Sequence, residues 1–261
     1  MPKIIENRLI EAFKDRSSFN RDELYDFYLD FEPDLKENTF GWRIYDLKKK
    51  DIIKTIGRGL YVISYKPKYK AVLSDNIYKI ARKTNERFED IKYAIWETQW
   101  LNEFTQHQTS NQIIIVEVEK EFIDSLYYYL IDNLRMDFYL NPDEKEIQFY
   151  ISESNVPVVI KRLVTRAPIQ KIKNKKDVVA IATLEKIMVD LFADENLFHF
   201  YQGPEMAHIY ENIIDRYSIN FTKMFSYAKR RKKEQEIKQF ISNHIPDCAY
   251  CFLEASLFLN L

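Results

Sequence analysis

Glycine is scarce in this sequence, with only 4 in 261 residues, at Gly41, Gly57, Gly59 and Gly203. Neither a G-x-x-x-x-G-K phosphate cradle nor a dinucleotide-binding G-x-G-x-x-G turn can be written from them, and no Gly-Ser pair exists to lead into the paired carboxylates of a nucleotidyltransferase. Cysteine is rarer still. Cys248 and Cys251 form a single C-x2-C, half of a tetrahedral zinc site, and are read as free thiols. His107, His199, His208 and His244 lack metal-ligand spacing, so no metal and no cofactor is expected. No apolar run approaches the roughly 20 residues of a membrane span. The opening MPKIIENRLIEAF has no apolar signal-peptide core. No membrane partner is expected, and the reading is cytoplasmic.

An excess of charge is also missing. Lys plus Arg total 39 against Asp plus Glu 40, a net charge of −1, so any nucleic-acid binding must use local patches. Three basic runs offer themselves: 48–50; 161–176, which carries no acid; and 229–233, reading KRRKK. A hydrophobic content of 46% says that the chain folds, as one large domain or two.

The rest of the chain is organised around residues 35–64, LKENTFGWRIYDLKKKDIIKTIGRGLYVIS. Asn38 or Thr39 is expected to cap a helix in which Phe40, Ile44 and Leu47 recur at i, i+4, i+7 and face a core. The opposite side carries Asn38, Trp42, Tyr45 and Lys49, flanked by Arg43, Lys48 and Lys50. Two β-rich runs follow, 52–56 and 60–64, joined by Gly-Arg-Gly with Arg58 at the hairpin tip. Upstream, Ile4 to Phe13 reads as a first helix and Asn20 caps a second, with Leu24, Phe27 and Tyr28 as its stripe before Pro33.

Helix, helix, recognition helix, hairpin is the order of a winged helix-turn-helix. In that reading Asn38, Thr39, Trp42, Arg43, Tyr45 and Lys49 face the major groove of double-stranded DNA, while Lys48, Lys50, Lys54 and Arg58 meet phosphates or the minor groove. Residues 1–64 hold twelve basic and twelve acidic side chains, so positive charge must be sorted toward the recognition helix and wing. A winged helix can also contact protein, and that alternative stays open.

The expected fold class is α+β: an N-terminal winged helix-turn-helix (1–66), a linker (67–75), a mixed α/β region (76–180) and a C-terminal helical subdomain (181–261). Within the mixed region, helices are expected at 76–83, 101–106 and 122–134, and strands at 91–96, 113–118, 136–140, 147–152, 156–161 and 168–173. From Thr183, read as an N-cap, the pattern turns helical: Leu184, Ile187, Met188 and Leu191 point inward, Glu185 and Lys186 outward. Further helices are expected at 205–216, 221–232 and 236–243, before an apolar tail that follows Pro246 and is expected to pack on the body, the alternative being the edge of a partner surface.

Little catalytic chemistry is visible, and no catalytic residue is assigned. Glu117 and Glu119 alternate on a strand and could present two carboxylates, as in a metal-dependent nuclease; the plainer reading is the solvent face of a half-buried strand. Asp190, four residues after Lys186, suggests a surface pair worth about 0.2 to 0.5 kcal/mol. A second basic patch comprises Lys161, Arg162, Arg166, Lys171, Lys173, Lys175 and Lys176, with Ile169, Lys171 and Lys173 on one strand face. It is either a second nucleic-acid surface or a solvated face.

The segment TFGWRIYDLKKKDIIKTIGRGLYVIS, with its wing Arg58-Gly59-Leu60-Tyr61, resembles the winged-helix domain of AbiEi-type antitoxins of type IV toxin-antitoxin (abortive infection) systems. The later VVAIATLEKIMVDLFAD, 178–194, is similar to the segment that opens that family's C-terminal helices. The resemblance implies a DNA-binding transcriptional autoregulator that recognises the operator of its own operon. It also implies a C-terminal domain, 76–261, that counteracts a nucleotidyltransferase-like toxin as functional partner. The competing readings are a nuclease or nucleotidyltransferase guided by the winged helix, and a protein-interaction module.

Overall fold

The computed structural model describes residues 3–14, 16, 18–57, 59–64, 66–107, 112–174 and 177–245. The chain divides into two compact units, Met1–Pro67 and Lys68–Leu261. The cysteines and the apolar tail lie outside the described residues.

In the first unit, α1 (Lys3–Phe13) buries Ile5, Leu9 and Phe13. A two-residue strand that the sequence did not announce, β1 (Phe19–Asn20), runs directly into α2 (Arg21–Leu29). Asn20 and Glu23 close a reciprocal capping box, each side chain 2.8 Å from the other's backbone nitrogen. The next helix, α3 (Glu37–Lys49), buries the stripe Phe40, Ile44 and Leu47. It begins earlier than expected. Lys36 is its N-cap, without a side-chain cap bond, so Asn38 and Thr39 already stand in the first turn. The hairpin follows as β2 (Ile53–Gly57) and β3 (Leu60–Ile63), and β1 pairs with the far side of β3 to give the order β1-β3-β2. Rings fill the core between these elements: Phe13 lies tilted against Phe19 with centroids 4.3 Å apart, and Tyr25 against Phe40 at 4.8 Å.

The second unit opens with α4 (Asp75–Arg87), capped by Ser74, and β4 (Tyr93–Glu97). Then come β5 (Ile114–Val118), α5 (Ile123–Asn133) and β6 (Phe138–Leu140). A short α6 (Glu144–Glu146) continues as one π-helical turn, Ile147–Ile151. Next are β7 (Val158–Arg162), β8 (Ile169–Asn174) and β9 (Asp177–Ala182). Four helices close it: α7 (Leu184–Ala193), α8 (Pro204–Arg216), α9 (Phe221–Arg230) and α10 (Glu234–His244).

The six strands form one mixed sheet in the order β6-β7-β5-β4-β9-β8. β5 lies between β7, to which it is parallel, and β4, to which it is antiparallel, and every one of its residues is buried. One expectation fails here, and one strand was not foreseen. The apolar run at 147–152 is helical, because Asp143 and Glu146 form a second capping box and Ile147 and Ile151 are buried four apart on one side. β9, absent from the sequence reading, fills the slot between β4 and β8. The architecture is α+β, and no helix among the described residues is long and apolar enough to cross a membrane.

The capping box of α2 gives a direct check. Asn20→Ala should cost about 1 kcal/mol and Asn20→Asp much less, since a carboxylate accepts the same bond. Urea unfolding followed by far-UV circular dichroism would separate the two variants; equal midpoints would remove the cap from the account.

Candidate nucleic-acid interface and a buried charge cluster

Because α3 spends its apolar stripe on the core, its other side is left to solvent. Trp42 and Tyr45 are 72% and 58% exposed and meet edge to face, with ring centroids 5.9 Å apart. Asn38, Thr39 and Lys49 are exposed beside them. Gly41 lies on the same side, and a Cβ added there would meet nothing within 4 Å.

The basic residues around this face differ in what holds them. Arg43, expected to read bases, is half-buried: its Nη2 lies 3.1 Å from both carboxylate oxygens of Glu32. The Lys50 ammonium is 2.7 Å from Glu6 and 2.6 Å from Asp46, and hydrogen bonds to those carboxylates raise its pKa. Lys48 sits 5.1 Å from the centre of the Tyr61 ring. Lys49 is exposed and makes no ion pair among the described residues. Lys54 is exposed on β2, and Arg58 lies outside the described residues.

The second unit contains a feature that sequence reasoning misplaced. Lys186, expected to point outward, is completely buried. Its ammonium is held between Glu117 of β5 and Asp190 one turn further along α7, both equally shielded from water. Asp190 also accepts from the Tyr227 hydroxyl of α9 at 2.7 Å. One more turn on, Asp194 takes Arg231 at 2.7 Å and Lys161 of β7. Three carboxylates and three cations thus join β5, β7, α7 and the end of α9.

Burial raises the Glu117 carboxyl, and Lys186 pulls it only partly back; one Glu117 oxygen, Oε1, has no hydrogen-bond partner among the described residues. Burial works against the Lys186 ammonium, yet Asp190 and Glu117 together hold its pKa above the ordinary value. For Asp194 burial acts upward, but Lys161 and Arg231 outweigh it and keep the carboxyl below its ordinary range.

The two carboxylates that could have served a nuclease are not assembled, and the plainer reading of a solvent face fails as well, since Glu117 is fully buried. Glu117 is locked in the cluster, whereas Glu119 lies past the end of β5 and pairs with Lys92 at 3.7 Å. Lys161 likewise leaves the second basic patch for Asp194. Arg162, Arg166, Lys171 and Lys173 stay exposed, and Lys175 and Lys176 lie outside the described residues. In the 229–233 run, Arg231 and Lys233 are paired, with Asp194 and with Glu236 at 2.6 Å. A signal for the cluster was present. Lys186 and Asp190 stand in a helix apolar on most sides, and Glu117 interrupts the otherwise apolar run Ile113 to Val118, patterns that belong to elements covered all round.

Fold and sites together define a two-unit α+β protein with an exposed aromatic face on one helix and a sheet tied to its helices by buried charge. The chain belongs to a family of unknown function (DUF6577), which residues 39–247 match. A comparison with curated proteins gave no match.

Two outcomes follow from the cluster. Lys186→Met strands two buried carboxylates and should cost about 3 to 5 kcal/mol, whereas adding Glu117→Leu should recover part of that loss. A double variant less stable than Lys186→Met in urea would contradict the pairing. The second outcome concerns pH. A carboxyl whose folded-state pKa is lowered contributes stability above its unfolded value and loses it as pH falls. The stability gap between wild type and Asp194→Asn should therefore be full at neutral pH and close below about pH 4; a gap independent of pH would rule out the ionised Asp194.

Proposed function

We propose that this protein is a DNA-binding autoregulator of transcription, whose first unit is a winged helix and whose second unit serves as the antitoxin against a nucleotidyltransferase-like toxin. The observation that carries the DNA-binding half is the exposed side of α3. Two large aromatic side chains, Trp42 and Tyr45, stand in solvent beside Asn38, Thr39 and Lys49, immediately ahead of a β-hairpin. The element order α1, β1, α2, α3, β2, β3 and the sheet order β1-β3-β2 support the winged-helix reading.

Gly41 adds a second support. Glycine inside a helix costs about 0.5 to 1 kcal/mol relative to alanine. No described neighbour requires it, since a Cβ would enter open space. A duplex lying close against the first half of α3 would require it. The antitoxin half is supported by the similarity of residues 178–194 to the AbiEi-type segment, which here builds β9 and α7.

Duplex DNA from upstream of the protein's own gene is the probe for the first half. Gly41→Ala should stabilise the fold by about 0.5 to 1 kcal/mol while weakening operator binding, and Lys49→Ala should lower the salt slope by about one unit. If Trp42→Ala, Tyr45→Ala and Gly41→Ala all bind as the wild type does, α3 is not the reading element. For the second half, co-expression with the nucleotidyltransferase-like protein encoded nearby should restore growth, and continued arrest would remove the antitoxin role.

A further inference from the structure

At one end of the six-stranded sheet, wholly within the second unit, lies a cleft of about 900 Å³. That volume falls in the range of small-molecule sites, roughly 300 to 1,000 Å³. One wall is the connection from α4 to β4, with Phe88, Glu89 and Asp90. The other is the connection from β7 to β8, with Leu163, Val164 and Arg166. The floor comes from strand pairing: Lys171 of β8 stands opposite Ala180 of β9, whose small side chain leaves the space above the sheet open.

Three observations give the cleft a chemistry. Arg166 and Lys171 are exposed cations without an ion pair among the described residues, so an anion entering here displaces no internal partner. Glu89 and Asp90 on the facing wall likewise make no ion pair among the described residues, and a carboxylate can accept hydrogen bonds from a ligand. Phe88, Ile91, Leu163 and Val164, all half-buried, line the same cleft and supply apolar surface that a planar ring can cover. The backbone sets the two walls in a particular way. Asp90 has φ 58° and Arg166 φ 62°, the left-handed region, which arginine rarely adopts. Glycine would take that conformation at no steric cost, yet the position carries an arginine, and that arginine lines the cleft.

We propose that this cleft binds a nucleoside phosphate, with the phosphate on Arg166 and Lys171, the base against the apolar strip, and ribose hydroxyls or base amino groups donating to Glu89 and Asp90. The site is independent of the α3 reading, and its failure leaves that reading untouched. The ligand is either free in solution or the 5′-phosphorylated end of a nucleic acid, which presents the same groups.

Calorimetric titration of the full-length protein tests this with ATP, GTP, CTP and UTP, with AMP, adenosine and inorganic phosphate, and with a 5′-phosphorylated oligoribonucleotide. At least one nucleotide or the oligonucleotide should bind at least tenfold more tightly than adenosine or phosphate alone. Arg166→Gly suits the local backbone, so it should leave the melting temperature unchanged or higher while weakening binding at least tenfold. Lys171→Gln should weaken binding similarly, and Lys145→Gln, outside the cleft, should not. Free nucleotides binding identifies the soluble ligand, and the oligonucleotide binding alone identifies the chain end. Binding by neither, adenosine or phosphate binding as tightly as a nucleotide, or affinity indifferent to Arg166→Gly and Lys171→Gln would overturn the proposal.

Discussion

Removing an ammonium group from water costs several kcal/mol unless carboxylates surround it, and Lys186 is completely buried. The second unit is arranged so that this cost is offset. One carboxylate comes from Glu117, next to last in β5, a strand that neighbouring strands flank on both edges, so α7 must lie across the sheet at that point. The other, Asp190, is four residues beyond Lys186 on the same helix, and Asp194, the helix C-cap, is four further, so one stripe carries a cation followed by two anions. Tyr227 and Arg231 tie α9 and its end to that stripe, and Lys161 ties β7 to it. Apolar side chains of equal volume could pack as tightly. They would not fix the register: rotating α7 by one residue, about 100°, would leave several buried charges unpaired at once.

How much of this was legible depends on the distance over which each feature is decided. The stripe Phe40, Ile44, Leu47 and its exposed counterpart Trp42, Tyr45, Lys49 follow from helical periodicity, a local property, and the structure has them on those sides. The Asn20 cap is local too. By contrast, the partner of Arg43 is 11 residues away and one partner of Lys50 is 44 away, so the occupation of both side chains could not be read from the helix alone. Lys186 was misplaced for a related reason. An outward lysine in a helix is the ordinary case, and the burial of this one is imposed by Glu117, 69 residues earlier in the chain. At 147–152 the error ran the other way: an apolar run looked like a strand, and two flanking acids, Asp143 and Glu146, had already capped a helix.

A run of basic residues in a sequence is therefore not yet a basic surface. Lys48, Lys49 and Lys50 are consecutive and exposed, but one lies over an aromatic ring, one is ion-paired twice, and only Lys49 has neither kind of contact among the described residues. The 161–176 run divides similarly, with Lys161 drawn inward and Arg166 and Lys171 left at the cleft.

This division bears on how α3 could hold a duplex. With a net charge of −1 and much of the nearby basic charge engaged internally, the sequence-independent attraction that scales with the number of neutralised phosphates is small. Affinity would then rest on contacts that need close approach: the faces of Trp42 and Tyr45, the polar groups of Asn38 and Thr39, and a backbone left bare at Gly41. Such contacts fall off within a few ångströms of the base edges, whereas charge acts over about a Debye length. If α3 reads DNA as proposed, a helix equipped this way would discriminate among sequences better than it would concentrate on DNA in general, the balance that the proposed autoregulator of one operon requires.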